Sequence, residues 1–419
     1  MIIPIFQENI LLIIASIISN IKIGAIISTF ILFFMPAMFI GMLSPIIIKQ
    51  KMEDLNCVGK ISGKIYAIAT IGSIVGTFLG GFYLIPTYGS NEILFVLAVI
   101  DLLLLLFSDY TNIMKKSKKT IIFIFIGVFI SVIYFYSYGY ENEKKGTMVL
   151  NGNVGVSVSY DTEYGRVLIK NIEKNGKKCR YLLIDKGNES ATYINEKECY
   201  DLIFNYTKYY DLMFNSNIEI KNVLMIGGAG YSYPKYFISN YLDKNMDVVE
   251  IDGKVTEIAK KYFYLEKLIK EFNLDNNHRL NLIEDDGRTY LNKNIKKYDA
   301  ILNDAFSGEN PAKTLTTVEA IKKIHDSLNE KGVYLTNVIS SVEGNNSKFI
   351  KAEVKTLRQV FKNVYIIPCN DKQDLYKTQN NMVIATDDIL SIEEETFIDL
   401  ENAVVLTDNY CPVDSLIPQ

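Results

Sequence analysis

The apolar residues of this chain are gathered at one end, and that asymmetry limits its architecture more than any motif does. In a chain of 419 residues the first third is almost entirely Ile, Leu, Phe, Gly and Ala. From about Gly146 onward charged residues recur every few positions and the apolar runs shorten to strand and helix length. Crossing a bilayer core takes about 20 mostly apolar residues as a helix. Candidate spans are Asn9 to Ile23, Ala25 to Ile48, Ile65 to Pro86, Ile93 to Phe107 and Ile121 to Tyr138. The first and fourth are short, so residues 1–140 are expected to form four or five transmembrane helices of a multi-pass cell-membrane protein, with the lipid bilayer as a partner. A cleaved signal peptide does not fit several long runs in succession. Gly72, Gly76 and Gly80 recur every four residues, a spacing that lets helix backbones approach closely. Asp101 is costly at membrane depth and is expected against a partner helix, water or the interface.

Lysine placement bears on orientation. Lys49, Lys51, Lys60 and Lys64 fall in one loop and Lys115, Lys116, Lys118 and Lys119 in another two spans later, so both read as cytoplasmic. A final span would then carry the rest of the chain to the side opposite the cytoplasm.

The formal charge of −4 and pI near 5.5 offer no basic stripe, so nucleic acid is not an expected partner. Five cysteines without CxxC spacing give neither a disulfide framework nor a zinc site, and two histidines make a metal centre or a histidine triad improbable.

Beyond the membrane part, alternating runs VGVSVSY, RVLIKNI and RYLLID, with a turn at Asn175-Gly176, predict a small antiparallel β-layer. With helical spacing from Glu198 to Phe214, this layer and a first helix occupy residues 147–215. Over 216–419 apolar strands (VLMIG, DVVEI, LNLIE, YDAILN, VYLTNVI, NVYIIP, NMVIAT) alternate with amphipathic helices. That order predicts an α/β, Rossmann-like, doubly wound nucleotide-binding domain whose ligand lies beyond the strand C-termini. Gly227, Gly228 and Gly230 after the first of these strands would let the chain pass near a ligand where a Cβ would collide. Glu250, ending VVE, can accept two hydrogen bonds from ribose hydroxyls. Asp286 in EDDGRTYL can accept from an adenine amino group, and Asp304 in LNDAFSG ends the next strand over the same crevice. Each of these carboxylates could instead be a helix cap or a solvated loop residue.

With VLMIGGAG, VVEID, EDDGRTYL, YDAILNDAFSG, the terminal LTDNYCPVD and the membrane stretch SGKIYAIATIGSIVGTFLGGFYLIP, nearly the whole chain resembles the polyamine aminopropyltransferase (spermidine synthase) family, in its bacterial membrane-fused form. By that comparison it begins late, without the first membrane helices. The resemblance implies transfer of an aminopropyl group from decarboxylated S-adenosylmethionine to a small-molecule diamine such as putrescine, with no metal and with the soluble domain in the cytoplasm. It assigns Asp304 as the base, Tyr200 as the tyrosine beside it, Glu250 to ribose and Asp286 to adenine. Asp185, Gly187 and Glu189 fall where the family has DGxxQ.

The departures concern charge. The family carries an Asp within the glycine loop, where this chain has Ala229. It carries a second Asp three residues after the base, where this chain has Ser307. The residue usually acidic two places after the matched tyrosine is Leu202, beside Asp201. Each charge-assisted hydrogen bond contributes roughly 1.5–3 kcal/mol, so losing two weakens diamine binding more than a hundredfold unless Asp201 or Glu189 substitutes. Two rival readings stay open: a methyltransferase using intact S-adenosylmethionine, and a non-enzymatic membrane sensor of nucleotide or polyamine. Assembly as a homo-oligomer is compatible with either.

Overall fold

The computed structural model describes residues 21–51, 58–84 and 144–418, apart from 151–152, 175, 185–186, 308–309 and 393–394, with scattered helical positions in 10–18 and 93–101. Two compact units result: Met1–Lys144 with Asp161–Glu163, and Lys145–Tyr160 with Tyr164–Gln419.

In the first unit two helices, α1 (Ile21–Lys51) and α2 (Val58–Leu79), are long and apolar enough to cross a bilayer. A π-turn, Gly80–Leu84, prolongs the second. Lys60 and Lys64 therefore lie within a helix rather than in a loop. Gly72, Gly76 and Gly80 have open space where a Cβ would point, so no described helix packs against that stripe. The run Ile121 to Tyr138, residues 95 and 102–107 of the run Ile93 to Phe107, and Lys115 to Lys119 lie outside the described residues; Asp101 is described, as an exposed helical position.

The second unit opens with an antiparallel sheet in sequential order, β1 (Lys144–Leu150), β2 (Asn153–Asp161), β3 (Arg166–Lys174), β4 (Lys177–Ile184) and β5 (Gly187–Tyr193). Gly176, at φ +74°, turns β3 into β4, as Asn-Gly predicts. A 3-10 run, Tyr206–Asn215, follows in place of the longer helix expected from Glu198, because residues 198–205 turn instead.

The main sheet then builds from β6 (Asn222–Ile226), β7 (Asn245–Glu250), β8 (Leu280–Glu284), β9 (Tyr298–Asn303), β12 (Leu328–Ser340), β13 (Asn363–Pro368) and β14 (Gln379–Thr386), in the order β13-β14-β12-β9-β6-β7-β8. A short ribbon, β10 (Phe306–Ser307) with β11 (Asn310–Pro311), follows β9. The strands from β12 to β8 run parallel, and β14 runs antiparallel to both β12 and β13, so the sheet is mixed. Alternate residues serve two cores. Val223 and Met225 of β6 pack in one with Leu302 and Leu335, while Leu224 and Ile226 pack in the other with Ile301 and Tyr334. This two-sided burial is why the strands read as continuous apolar runs.

The helices are α3 (Ser232–Asn240), α4 (Gly253–Tyr262), α5 (Leu265–Glu271), α6 (Leu274–Asn277), α7 (Gly287–Lys293), α8 (Val318–Asp326), α9 (Lys348–Leu357) and α10 (Val413–Leu416). Asp252, Asp286 and Thr317 cap α4, α7 and α8 through their side-chain oxygens. The direction of winding reverses between β6 and β9, and that crevice beyond the strand ends is where ligands bind in such sheets.

Candidate functional site

At the crevice the ends of β6 and β9 are held together by the Asp304 N–H donating to the Ile226 carbonyl at 2.9 Å. Gly227 follows at φ +93°, and a Cβ there would stand 2.5 Å from the Asp304 carbonyl oxygen. At Gly230 a Cβ would meet Ser190 at 2.6 Å, and its N–H donates to the Ser190 hydroxyl at 2.9 Å. The glycines are thus required first by the protein's own close packing, not only by a ligand. Between them Ala229 is left-handed, at φ +43°.

Glu250 lies under this loop and its carboxylate accepts from the N–H groups of Gly228 (2.8 Å), Ala229 (2.9 Å) and Asp252 (3.1 Å). Burial pushes its carboxyl up, and the three N–H bonds pull it back. A carboxylate has about four acceptor positions, so with three engaged Glu250 can take one ribose hydroxyl in this arrangement, not the expected two. Asp286 accepts from the Thr289 N–H at 2.8 Å as the cap of α7.

Beyond the crevice opens a cavity of about 690 Å³, lined by the glycine loop, Asp304, residues 187–190 and 203–207, and side chains from β12 and the β13–β14 hairpin. Among the described residues its charged lining is Lys174, Glu189 and Asp304. Asp304 accepts from the Tyr206 hydroxyl at 3.0 Å on one oxygen and from the Asn337 amide at 3.1 Å on the other. Asn380 in turn donates to the Asn337 carbonyl oxygen at 3.1 Å. Burial raises the Asp304 carboxyl above the usual range against the opposing hydrogen bonds. The same burial, with the adjacent carboxylate, pushes the Tyr206 phenol well up. Tyr210 is wholly buried beside them, packed against Tyr206 and Tyr233, and its hydroxyl makes no hydrogen bond of good geometry.

Tyr200 is not beside Asp304. Its hydroxyl donates to Glu271 at 2.9 Å and its ring meets Phe272, because the turns over 198–205 direct it toward α5. Tyr206 stands at Asp304 instead. Asp201 is exposed and does not line the cavity. Gly187 and Glu189 line it; Asp185 and the Ser307 side chain lie outside the described residues. Three participants escaped the sequence reading: Tyr206, Asn337 and Asn380. A signal existed for Asn337, an amide in the middle of the apolar run VYLTNVI, where a buried polar group needs a partner.

Fold and crevice together define a Rossmann-like architecture with a carboxylate, Asp304, at the edge of a cavity lined in part by amides. Residues 209–371 match the spermine/spermidine synthase domain. The matched segment holds Glu250, Asp286, Asp304 and Asn337, and leaves Tyr206 and Asn380 outside. The chain is 34% identical over 157 residues to a polyamine aminopropyltransferase of Vibrio vulnificus, covering 37% of this chain and 47% of that one. To that of Thermococcus kodakarensis it is 28% identical over 209 residues, covering 49% and 67%. The match thus spans about half the length of such curated relatives. Among solved structures, a probable spermidine synthase from Corynebacterium glutamicum superposes with a TM-score of 0.48 at 19% identity, over 57% of this chain and 82% of that one.

Proposed function

We propose that this chain is a membrane-anchored aminopropyltransferase that uses a sulfonium nucleoside, decarboxylated S-adenosylmethionine, and a primary amine. The observation that carries the reading is Asp304, set between Tyr206 and Asn337 at the cavity edge and next to the glycine loop. In the reaction the amine lone pair forms a bond to the propyl carbon beside the sulfonium. The carbon–sulfur bond breaks with its electron pair left on sulfur, yielding a neutral thioether nucleoside. The proton lost by nitrogen passes to Asp304 and on to solvent. Tyr206 and Asn337 donate to the ionised carboxylate and so hold it in place for that transfer. In this scheme Glu250 holds the ribose, and Asp286, which caps α7 through one oxygen, accepts from the adenine amino group with the other.

Ala229 favours a second reading, methyl transfer from intact S-adenosylmethionine, because the loop has no carboxylate to hold an aminopropyl ammonium. Incubating the purified protein with each donor and a panel of amines, with mass spectrometry of products, separates the two. Aminopropyl adducts with methylthioadenosine support the first; methyl adducts from the intact donor alone overturn it. Asp304→Asn should lower turnover by about 10²- to 10⁴-fold while the product nucleoside still binds.

A further inference from the structure

Strand order divides the cavity. The glycine loop follows β6 on one side of Asp304, and β12 and β14 lie on the other, because β9 stands between β6 and β12. A nucleoside held at the glycine loop therefore leaves the β12–β14 side for the acceptor. On that side Asn337, Asn370, Thr378 and Asn380 bring amides and a hydroxyl and Ile339 an apolar face, and among the described residues no carboxylate of β12, β14 or the segment joining β13 to β14 lines the cavity; its lining carboxylate besides Asp304 is Glu189 of β5.

The polarity of this wall is set from Asp304 outward. An ionised carboxylate only accepts, so Asn337 must turn its N–H group to Asp304 and its oxygen to Asn380. Asn380 must then use one N–H on Asn337, and presents the remainder of its amide at the cavity. A far-end ammonium would meet amide dipoles on that wall rather than a counter-charge of its own, in a cavity where Lys174 offsets Glu189, Asp304 serves as the base and a sulfonium must also be accepted. A neutral hydroxyl or amide could both donate to and accept from the same groups.

We infer that the acceptor is a primary monoamine whose far end is a neutral hydrogen-bonding group, an amino alcohol or amino amide rather than a diamine, and that Asn380 with Asn370 and Thr378 reads that end. The inference rests on the aminopropyl-transfer reading for the place of the nucleoside. Its test uses the full chain in detergent. Calorimetry in the presence of methylthioadenosine compares putrescine with the aminobutanol in which one putrescine nitrogen is replaced by oxygen, and kcat/KM with decarboxylated donor is measured for both. The aminobutanol should bind at least tenfold more tightly and lead in kcat/KM by a similar factor. Asn380→Asp should shift the preference toward putrescine by tenfold or more with nucleoside affinity unchanged. Thr378→Asp, at an exposed position of the same wall, should shift it the same way and serves if the first variant does not fold. Putrescine binding as well as or better than the aminobutanol, an unmoved preference in both variants, or no binding of either amine beside a bound nucleoside would each overturn the inference. Preferential binding of the aminobutanol without transfer to any amine would instead sink the transferase reading and leave the acceptor inference standing.

Discussion

At the scale of single residues, Asp304 has to be ionised to act as a base, and its surroundings resist ionisation. Burial raises its carboxyl, while Asn337 and Tyr206 restrain the rise. Activity should therefore fall, on the acid side, at a pH above that of an ordinary carboxylate, and Asn337→Ala, which removes one stabilising donor, should move that limb further up. In Asp304→Asn the limb should vanish and the deficit should shrink in alkaline buffer, where more free amine is present; an unchanged pH–rate profile would show that the limb belongs to another group. Ala229 offers a gain-of-function test. Its left-handed φ of +43° is one that Asp tolerates better than most residues. Ala229→Asp should tighten binding of the decarboxylated donor about tenfold, the scale of one charge-assisted hydrogen bond, and leave the intact donor no better bound. Equal effects on both donors would place the loop away from the propyl ammonium. The strand-end carboxylates were legible because each ends an apolar run. Tyr206 was not, since NYTKYYD holds several tyrosines and only the turn over 198–205 decides which one reaches Asp304.

At the scale of elements, the alternation of apolar strands with amphipathic helices was enough to find every strand of the main sheet, because strands buried on both faces leave continuous runs. The order of those strands and the reversal of β14 were not readable, since they depend on pairings between segments distant in sequence. Short helices such as α5 and α6 were missed for want of a full apolar period. Glu250 shows how one element end organises another: placed by β7, it gathers the N–H groups of the loop after β6. Glu250→Gln substitutes an N–H₂ for one acceptor oxygen, so some of those donors lose their partner. Nucleoside affinity should drop by about 1–3 kcal/mol together with the melting temperature; calorimetry showing full affinity in a stable variant would place the ribose elsewhere. Helix α9 carries another buried acid, Glu353, which burial raises to about 8 and one of whose oxygens has no partner. Because this folded-state value lies above the unfolded one near 4.5, the stability it contributes is complete below that lower value and is lost as pH rises toward 8. Glu353→Gln, an uncharged near-isostere, should match the parent at acid pH and exceed it progressively up to about pH 8, by at most roughly 5 kcal/mol. Parallel melting curves across that window would mean that Glu353 titrates in the folded state as it does in the unfolded one.

At the scale of the whole molecule, the two units bury their apolar residues by different rules. In the α/β unit the large aliphatic and aromatic side chains are inside, with Leu224, Ile301, Tyr334 and Ile350 fully enclosed. In α1 and α2 the order is inverted: Ile26, Phe30, Phe39, Ile40, Ile68, Ile71 and Phe78 are each more than half exposed. Monomeric soluble proteins rarely expose a continuous apolar surface larger than a few hundred Å², and these helices expose apolar side chains along nearly their whole length. Water is therefore a poor solvent for this unit, whereas hydrocarbon would suit it, because each helix satisfies its own backbone hydrogen bonds. The last expectation follows: the protein should stay in the membrane pellet after carbonate extraction, which strips proteins held by surface charge but not those inserted in the bilayer. Release into the supernatant would show that a partner surface, not lipid, covers α1 and α2. A reporter at the C-terminus decides the side. The proposed donor is made in the cytosol, so the reporter should be active inside the cell, and activity only outside would separate the site from its donor and remove the ground for the transferase reading, however well its residues are arranged.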